Sequence, residues 1–182
     1  MKVPEVTTER LLLRGFREED TDAWAEICAD EEVMRSAGLE HGLTAPESYR
    51  DMLFWLGHWG LKGFGHWALE ERATGELIGR TGLYHPPDWP GVEVGWTVAR
   101  PRWGEGFAPE AGAASLRWAF GELGLEHVIS LIADGNRRSQ RVAEKLGMGL
   151  EGRVTVRGHE LRMYGTDAAP AGRGPARSRV ST

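Results

Sequence analysis

Three features of the stretch from Pro101 to Phe120, PRWGEGFAPEAGAASLRWAF, could do chemistry together. Gly104 and Gly106 flank Glu105. A proline follows at Pro109, and then an alanine-rich run with helical character. Glycines just ahead of a helix let a ligand approach the backbone closely. The helix start supplies unpaired N–H groups and the positive end of its dipole, so the arrangement suits an anion such as a phosphate. A dinucleotide fingerprint would need a third glycine at position 109, where Pro109 stands, and it belongs at the first strand of a Rossmann unit. A Walker loop would need Gly-Lys-Ser/Thr, which occurs nowhere in the chain. On these residues alone, an anion cradle and a plain strand-to-helix turn both remain open. The six histidines show no metal-binding spacing, so no metal is expected.

The elements around this stretch determine what it can hold. Thr8–Phe16 reads as a first strand. Two helical segments follow, REEDTDAWAEICADEEVMRSAG and TAPESYRDMLFWLGHWGLKG, the second opening with Thr44 and Glu47 spaced as a capping box. GFGHWALEERATGELIGRTGLYH predicts two strands around a turn at residues 73–75. VEVGWTVAR predicts a strand with Glu93, Gly95 and Thr97 on one face. A helix then runs to about Glu122, followed by a buried strand over HVISLIAD. Asn136 is placed to cap a helix over NRRSQRVAEKLG that Gly147 ends. Two closing strands complete the pattern, which is a mixed α/β layer. From Asp167 onward the composition is small, Pro/Gly-rich and basic, so residues 167–182 are expected to form a disordered tail behind a single domain of residues 1–166.

Composition narrows the function. The 182 residues suit one domain, and 41% hydrophobic with 27% charged residues fits a soluble globular chain. A net charge of −5 argues against a general nucleic-acid binder. The single cysteine, Cys28, lies in an apolar helical pattern and is expected as a small buried hydrophobe. No run is apolar and long enough to span a membrane, and the N-terminus lacks the apolar middle of a signal peptide, which together predict a cytoplasmic location. Eight tryptophans are many for this length, and some are expected to shape a ligand cleft.

Three segments in order, TERLLLR, VEVGWTVARPRWGEGFAPEA and NRRSQRVAEKLGM, resemble the GNAT superfamily of N-acetyltransferases, with the Rim-type enzymes that modify ribosomal-protein N-termini as the nearest branch. The resemblance runs from about Thr8 to Gly165. It implies an α/β (α+β) fold, a strongly twisted mixed sheet of about seven strands flanked by about four helices, with the fourth and fifth strands splayed apart around acetyl-CoA. The family's pyrophosphate loop, R/Q-x-x-G-x-G/A, aligns with Gly106 and Ala108. Trp103 stands where Arg or Gln is usual. By this resemblance Glu105, Gly106, Phe107 and Ala108 meet the pyrophosphate through backbone N–H groups, Gly104 forms the turn and with Trp103 also lies at the cofactor site, while Trp96, Thr97 and Val98 pair with the pantetheine arm. Asn136 and Ser139 face the arm and its thiol, and Arg102, Arg141 or Lys145 neutralise phosphates.

The implied chemistry is direct transfer of an acetyl group from the thioester to a primary amine. It needs a base, a donor for the oxyanion and an acid for the leaving thiolate. Glu93 is the first base candidate, against a solvent-facing strand acid paired with arginine. His66 is the second, against a structural histidine beside Trp67. The tyrosine acid of many relatives is replaced by Ala143, which leaves Ser139 as the hydroxyl on that helix and Tyr164 as a candidate from a neighbouring strand. The acceptor site is expected near Ser36–Leu43, Trp55/Trp59 and Val156–His159. A peptide N-terminus, a polyamine or an aminoglycoside-like amine would satisfy it. Oligomeric state stays open, a homodimer included. A non-catalytic acyl-CoA-binding or sensor module on the same fold is the rival reading.

Overall fold

The computed structural model describes residues 2–169. Eight strands form one sheet: β1 (Val6–Thr7), β2 (Leu11–Arg14), β3 (His66–Glu71), β4 (Leu77–Tyr84), β5 (Glu93–Val98), β6 (His127–Ile132), β7 (Gly149–Val156) and β8 (His159–Asp167). They lie in the order β1-β2-β3-β4-β5-β6-β8-β7. Every pairing is antiparallel except β5 with β6, which is parallel and reduced to a single partner pair, Glu93 with Ile129. Beyond Glu93 the two strands separate, so the sheet opens into the expected V.

Five helices cover the sheet: α1 (Thr21–Ala29), α2 (Glu31–Ser36), α3 (Ala45–Lys62), α4 (Phe107–Gly121) and α5 (Arg137–Lys145). The sequence pattern ran α1 and α2 together. Asp30 separates them, because its backbone is extended and its side chain accepts from the N–H groups of Glu32 and Val33, which starts a new helix. The eighth strand is β1, two residues too short to show periodicity. Alternation along β3 divides two cores. Trp67 and Leu69 pack with Leu11, Leu13 and the α4 residues Ala111 and Ala114. Ala68 packs on the opposite face with Trp24, Met34, Met52 and Trp55 of the first three helices.

One polar network fixes the sheet edge to these helices. Arg14 donates twice to Asp20, at 2.7 and 2.8 Å, and once to Glu70, at 2.6 Å. A bidentate carboxylate partner of this kind offsets the desolvation of a buried guanidinium. The residues expected in the tail begin with order: Asp167 ends β8 opposite His127, and Ala168 N–H donates to the carbonyl of Glu126 at 2.8 Å. The rest of that expectation, from Pro170, lies outside the described residues.

Candidate active site

The V between β5 and β6 leads into two cavities, of about 580 and 490 Å³, which share Ser36, Trp96, Thr97, Asn136 and Ser139. The smaller runs along β5 to the glycine-rich loop and is lined by Val98, Arg102, Trp103, Gly104, Gly106, Phe107, Ala108 and Arg141. Gly104 and Gly106 adopt φ of 86° and 87°, left-handed values that side-chain-bearing residues rarely take. They bend the chain so that α4 starts at Phe107 with its first N–H groups directed out of the helix end. Pro109 falls in that first turn, where a missing N–H is harmless. The Phe107 side chain is buried in the core, which leaves its backbone to form the cavity wall.

Arg10 and Glu110 hold this loop, a role that the sequence motif did not reveal. Arg10 Nη1 donates to the Glu105 carbonyl at 2.9 Å, and its guanidinium lies 4.3 Å from the Phe107 ring centre. Glu110 accepts from Thr8 Oγ1 at 2.6 Å and from Arg10 N and Nε at 2.9 and 2.7 Å. The clamp spans 100 residues of sequence, which hides it from any local pattern.

Cations surround the loop unequally. Arg102 is shared among Glu71, Glu76 and Glu105, at 2.6, 3.2 and 3.7 Å, so its charge is largely taken. Arg141 and Lys145 line the cavity on α5. Trp103 donates its indole N–H to the Val98 carbonyl at 2.8 Å and carries the Arg138 guanidinium 4.3 Å over its ring. Arg138, itself paired with Glu32 at 2.8 Å, thus stands next to the position where Trp103 departs from the motif.

The backbone of β5 alternates in direction. The N–H of Ala99 donates to Ile78 on β4, and the carbonyl of Val92 accepts from Ile129 on β6. By that alternation Trp96 and Val98 turn their N–H groups into the V, whereas Thr97 turns its backbone towards β4. Thr97, expected to pair with a pantetheine arm, thus offers only its side-chain side of the strand, which is buried. On the other wall Asn136 accepts from Ser139 N–H at 3.1 Å and caps α5 as its position predicted. Its amide also donates to the Ser36 carbonyl at 2.8 Å, tying α5 to the end of α2.

The larger cavity lies on the other side of the junction, beneath α2, α3 and the β7–β8 turn. Glu93 is among its walls. Its carboxylate accepts from Trp89 Nε1 at 2.8 Å and from Leu131 N at 3.1 Å, yet burial outweighs both donors and pushes its pKa up to about 7. A carboxyl poised there can exchange a proton at neutral pH. His66 has a different character. Burial and the adjacent Arg80 hold its pKa well below the ordinary histidine value. Arg80 Nη1 lies 2.6 Å from His66 Nδ1, and a guanidinium can only donate, so Nδ1 carries the lone pair and Nε2 the proton. His66 is therefore a donor, and the expectation of a second base fails on that tautomer. Its ring stacks on Trp55, with centroids 3.9 Å apart, and sits where a side chain at position 95 would be, 3.1 Å from an added Cβ. A side chain at position 95 would crowd the imidazole, which would have to shift by a few tenths of an ångström.

Other expectations divide in the same way. Of the residues expected near an acceptor, Ser36, Leu39, Trp55, Val156 and His159 line the larger cavity, whereas Trp59 is core, with its indole donating to the His66 carbonyl at 3.0 Å. Tyr164 is buried with Leu83, Val94 and Val128 and reaches neither cavity, so it is no proton donor to the site. Burial raises the pKa of Cys28 to about 12, which keeps the thiol protonated and inert. Phe54, Tyr84, Trp89, Asp51 and Arg80 also line the larger cavity, and no sequence motif marked them. Among the described residues, no cluster of three or more His, Cys, Asp or Glu could hold a metal ion, and no helix is long and apolar enough to cross a membrane.

Comparison with known proteins gives this geometry its family. Residues 10–149 match the model of the acetyltransferase (GNAT) domain, so the chain belongs to the GNAT acetyltransferases. It is 28% identical over 150 residues to the uncharacterized N-acetyltransferase YoaA of Bacillus subtilis (strain 168), covering 82% of this chain and 85% of that protein. An acetyltransferase structure from Agrobacterium tumefaciens str. C58 superposes with a TM-score of 0.81 at 30% identity, covering 92% and 96% of the two chains. Rim-type enzymes stand among the structures sharing the fold, alongside other GNAT members. Mycobacterium smegmatis RimJ, determined with CoA-disulfide, has a TM-score of 0.69 at 20% identity over 87% and 82% of the chains. The protein is an acyltransferase, of a family whose acetyl donor is acetyl-CoA.

Proposed function

We propose that the protein transfers an acetyl group directly from acetyl-CoA to a primary amine, on a protein N-terminus or a small molecule. One observation carries this reading. The edge of β5 that faces β6 is unpaired from the glycine cradle at one end to Glu93 at the other, and separate cavities meet beside it. Acetyl-CoA supplies the activated thioester. The left-handed glycines, the N–H groups of residues 104–108 at the start of α4, and the Arg141 and Lys145 cations fit a pyrophosphate, with Arg138 nearby but shared with Glu32. The N–H groups of Trp96 and Val98 are suited to pair with an extended amide chain and to polarise a carbonyl.

Glu93 is the base in this reading, removing a proton from the acceptor amine through water. Ser139, at the junction, hydrogen-bonds the thiol and restrains the leaving sulfur. His66 supports the site as a donor and through its contact with Arg80. Asn136 positions the start of α5. Transfer is direct in this reading, and Cys28, buried and with its pKa raised to about 12, is unsuited to form an acyl-enzyme. A buried lone cysteine and the lack of a membrane-crossing helix among the described residues suit a cytoplasmic enzyme. The test is thiol release from acetyl-CoA against N-terminal peptides, polyamines, aminoglycosides and amino acids. Amine-dependent release that Glu93→Gln abolishes supports the reading, and coenzyme binding without release on any amine overturns it.

A further inference from the structure

The charge on the larger cavity does not suit a simple cation. Arg80 and Arg157 line it, together with Arg35, which is paired with Glu31 at 2.5 Å, and they are opposed by Asp51 and Glu93. Asp51 is already engaged. Its oxygens accept from Trp55 Nε1 at 3.1 Å and from Trp24 Nε1 at 3.2 Å, and its approach to Arg80 Nε is 3.8 Å. Glu93 likewise accepts from Trp89 and Leu131.

Arg80 is the incompletely matched partner. Its side chain is 13% exposed. Of its five N–H groups, one is donated among the described residues, from Nη1 to His66, and Nε is buried with no hydrogen-bond partner. The guanidinium lies 4.5 Å from the Trp55 ring centre, which fixes its plane at the cavity wall. A guanidinium removed from water at this depth calls for a carboxylate, and its planar fork matches one in two parallel hydrogen bonds. Arg157 adds to the same field from the β7–β8 turn, 5.4 Å from the ring centre of Trp89.

Sheet register sets these charges along one face. Arg80 on β4 stands opposite Thr97 on β5, and Tyr84 stands opposite Glu93, with the Gly82–Gly95 pair between. One end of the face therefore offers a guanidinium and the other a carboxyl that takes protons, with the His66 imidazole lying over Gly95 between them. Phe54, Trp55 and Tyr84 make an aromatic wall beside it, with ring centroids 4.9 to 5.9 Å apart.

We propose that the acetyl acceptor is a small amine that also bears a carboxylate, an amino-acid-like molecule whose carboxylate binds Arg80 while its amine faces Glu93. This rests on the larger cavity being the acceptor side of an acetyltransferase. A polyamine or an aminoglycoside would place added positive charge against Arg80 and Arg157. A peptide N-terminus has no α-carboxylate beside its amine, because that carboxyl is in the peptide bond.

Calorimetric titration tests the proposal on the full chain saturated with coenzyme A. The probes are the N-acetyl derivatives of the twenty amino acids, each paired with its carboxamide. The expected result is at least one pair in which the acid binds about tenfold or more tightly than the amide. Arg80→Gln should remove that difference, Arg157→Gln should reduce it, and coenzyme A affinity should persist in both. Amides that bind as tightly as their acids throughout, or no binding by any acid, would overturn the carboxylate assignment while leaving the acetyltransferase reading intact. Failure to bind coenzyme A in the same titrations would instead strike the acetyltransferase reading itself. If Arg80→Gln does not fold, as judged by its thermal melt, the wild-type pairs and Arg157→Gln decide the question.

Discussion

The two cavities that meet at Ser139 are built on different principles. The one along the glycine loop is made largely of backbone: left-handed Gly104 and Gly106, the start of α4, and the inner edge of β5. The one beneath α2 and α3 is made of side chains, with Arg80, His66, Trp55, Tyr84 and Glu93 drawn from four elements. On the proposed reading, backbone groups would recognise what every acetyl-CoA presents, and side chains would set the acceptor. A single fold can thereby keep its donor and change its acceptor.

The difference can be broken most strongly at Glu93. Glu93→Gln should lower kcat by about 10²- to 10⁴-fold, the usual range for a general base, with little change in coenzyme A affinity. A comparable loss in coenzyme A affinity would place Glu93 on the donor side and erase the division. In the native enzyme kcat/KM should rise with pH through an inflection near 7, as the carboxyl ionises, and this inflection should vanish in the variant.

Next in size is Gly106→Asp, which adds a carboxylate to an anion cradle and forces a side chain into a left-handed conformation. Coenzyme A affinity should fall roughly 100-fold, while Gly106→Ala, whose strain of about 1–2 kcal/mol is borne by the free and bound chain alike, should lower stability and leave affinity much less changed. Equal effects of the two would show that the loop senses shape and not charge. Ser139→Ala should lower kcat by roughly tenfold and leave coenzyme A affinity nearly unchanged, since it removes one neutral hydrogen bond. A loss in affinity alone would reduce Ser139 to a donor contact. The smallest effect is on stability. The raised pKa of Glu93 means that the folded chain binds its proton more tightly than the unfolded chain. The associated stability is present below the ordinary carboxyl pKa and is lost as pH rises to about 7. Melting temperature should therefore fall more between pH 5 and pH 8 in the native protein than in Glu93→Gln.

Legibility followed the same division. The glycine loop, the Asn136 cap and the β5 residues lie within short windows, where turn chemistry and alternation speak locally. Trp96 and Val98 could be placed on a strand, but which N–H groups face the V depends on hydrogen bonds to β4 and β6. The acceptor side was legible only as neighbourhoods. Trp55 and Trp59 are four residues apart on α3, yet one lines the cavity and the other joins the core with Trp67, because helix rotation against the sheet decides it. Arg80 looked like any polar residue on a hairpin. Its role arises when β3 brings His66 and α3 brings Asp51 and Trp55 around it. The Arg10–Glu110 clamp has the same origin, in contacts that only tertiary folding creates.

The single bridge between Glu93 and Ile129 has a mechanical meaning. It makes the sheet two wings, β1–β5 and β6–β8, joined by a hinge one residue long and strapped by α4 and by the Asn136–Ser36 hydrogen bond. A cosubstrate bonded along β5 would sew the open seam of the first wing, stiffening the pocket on the far side before any amine arrives. Amide hydrogen exchange should record this as slowed exchange at Trp96 and Val98 on adding coenzyme A, and one wing's rigidity would then become a property that the other substrate inherits.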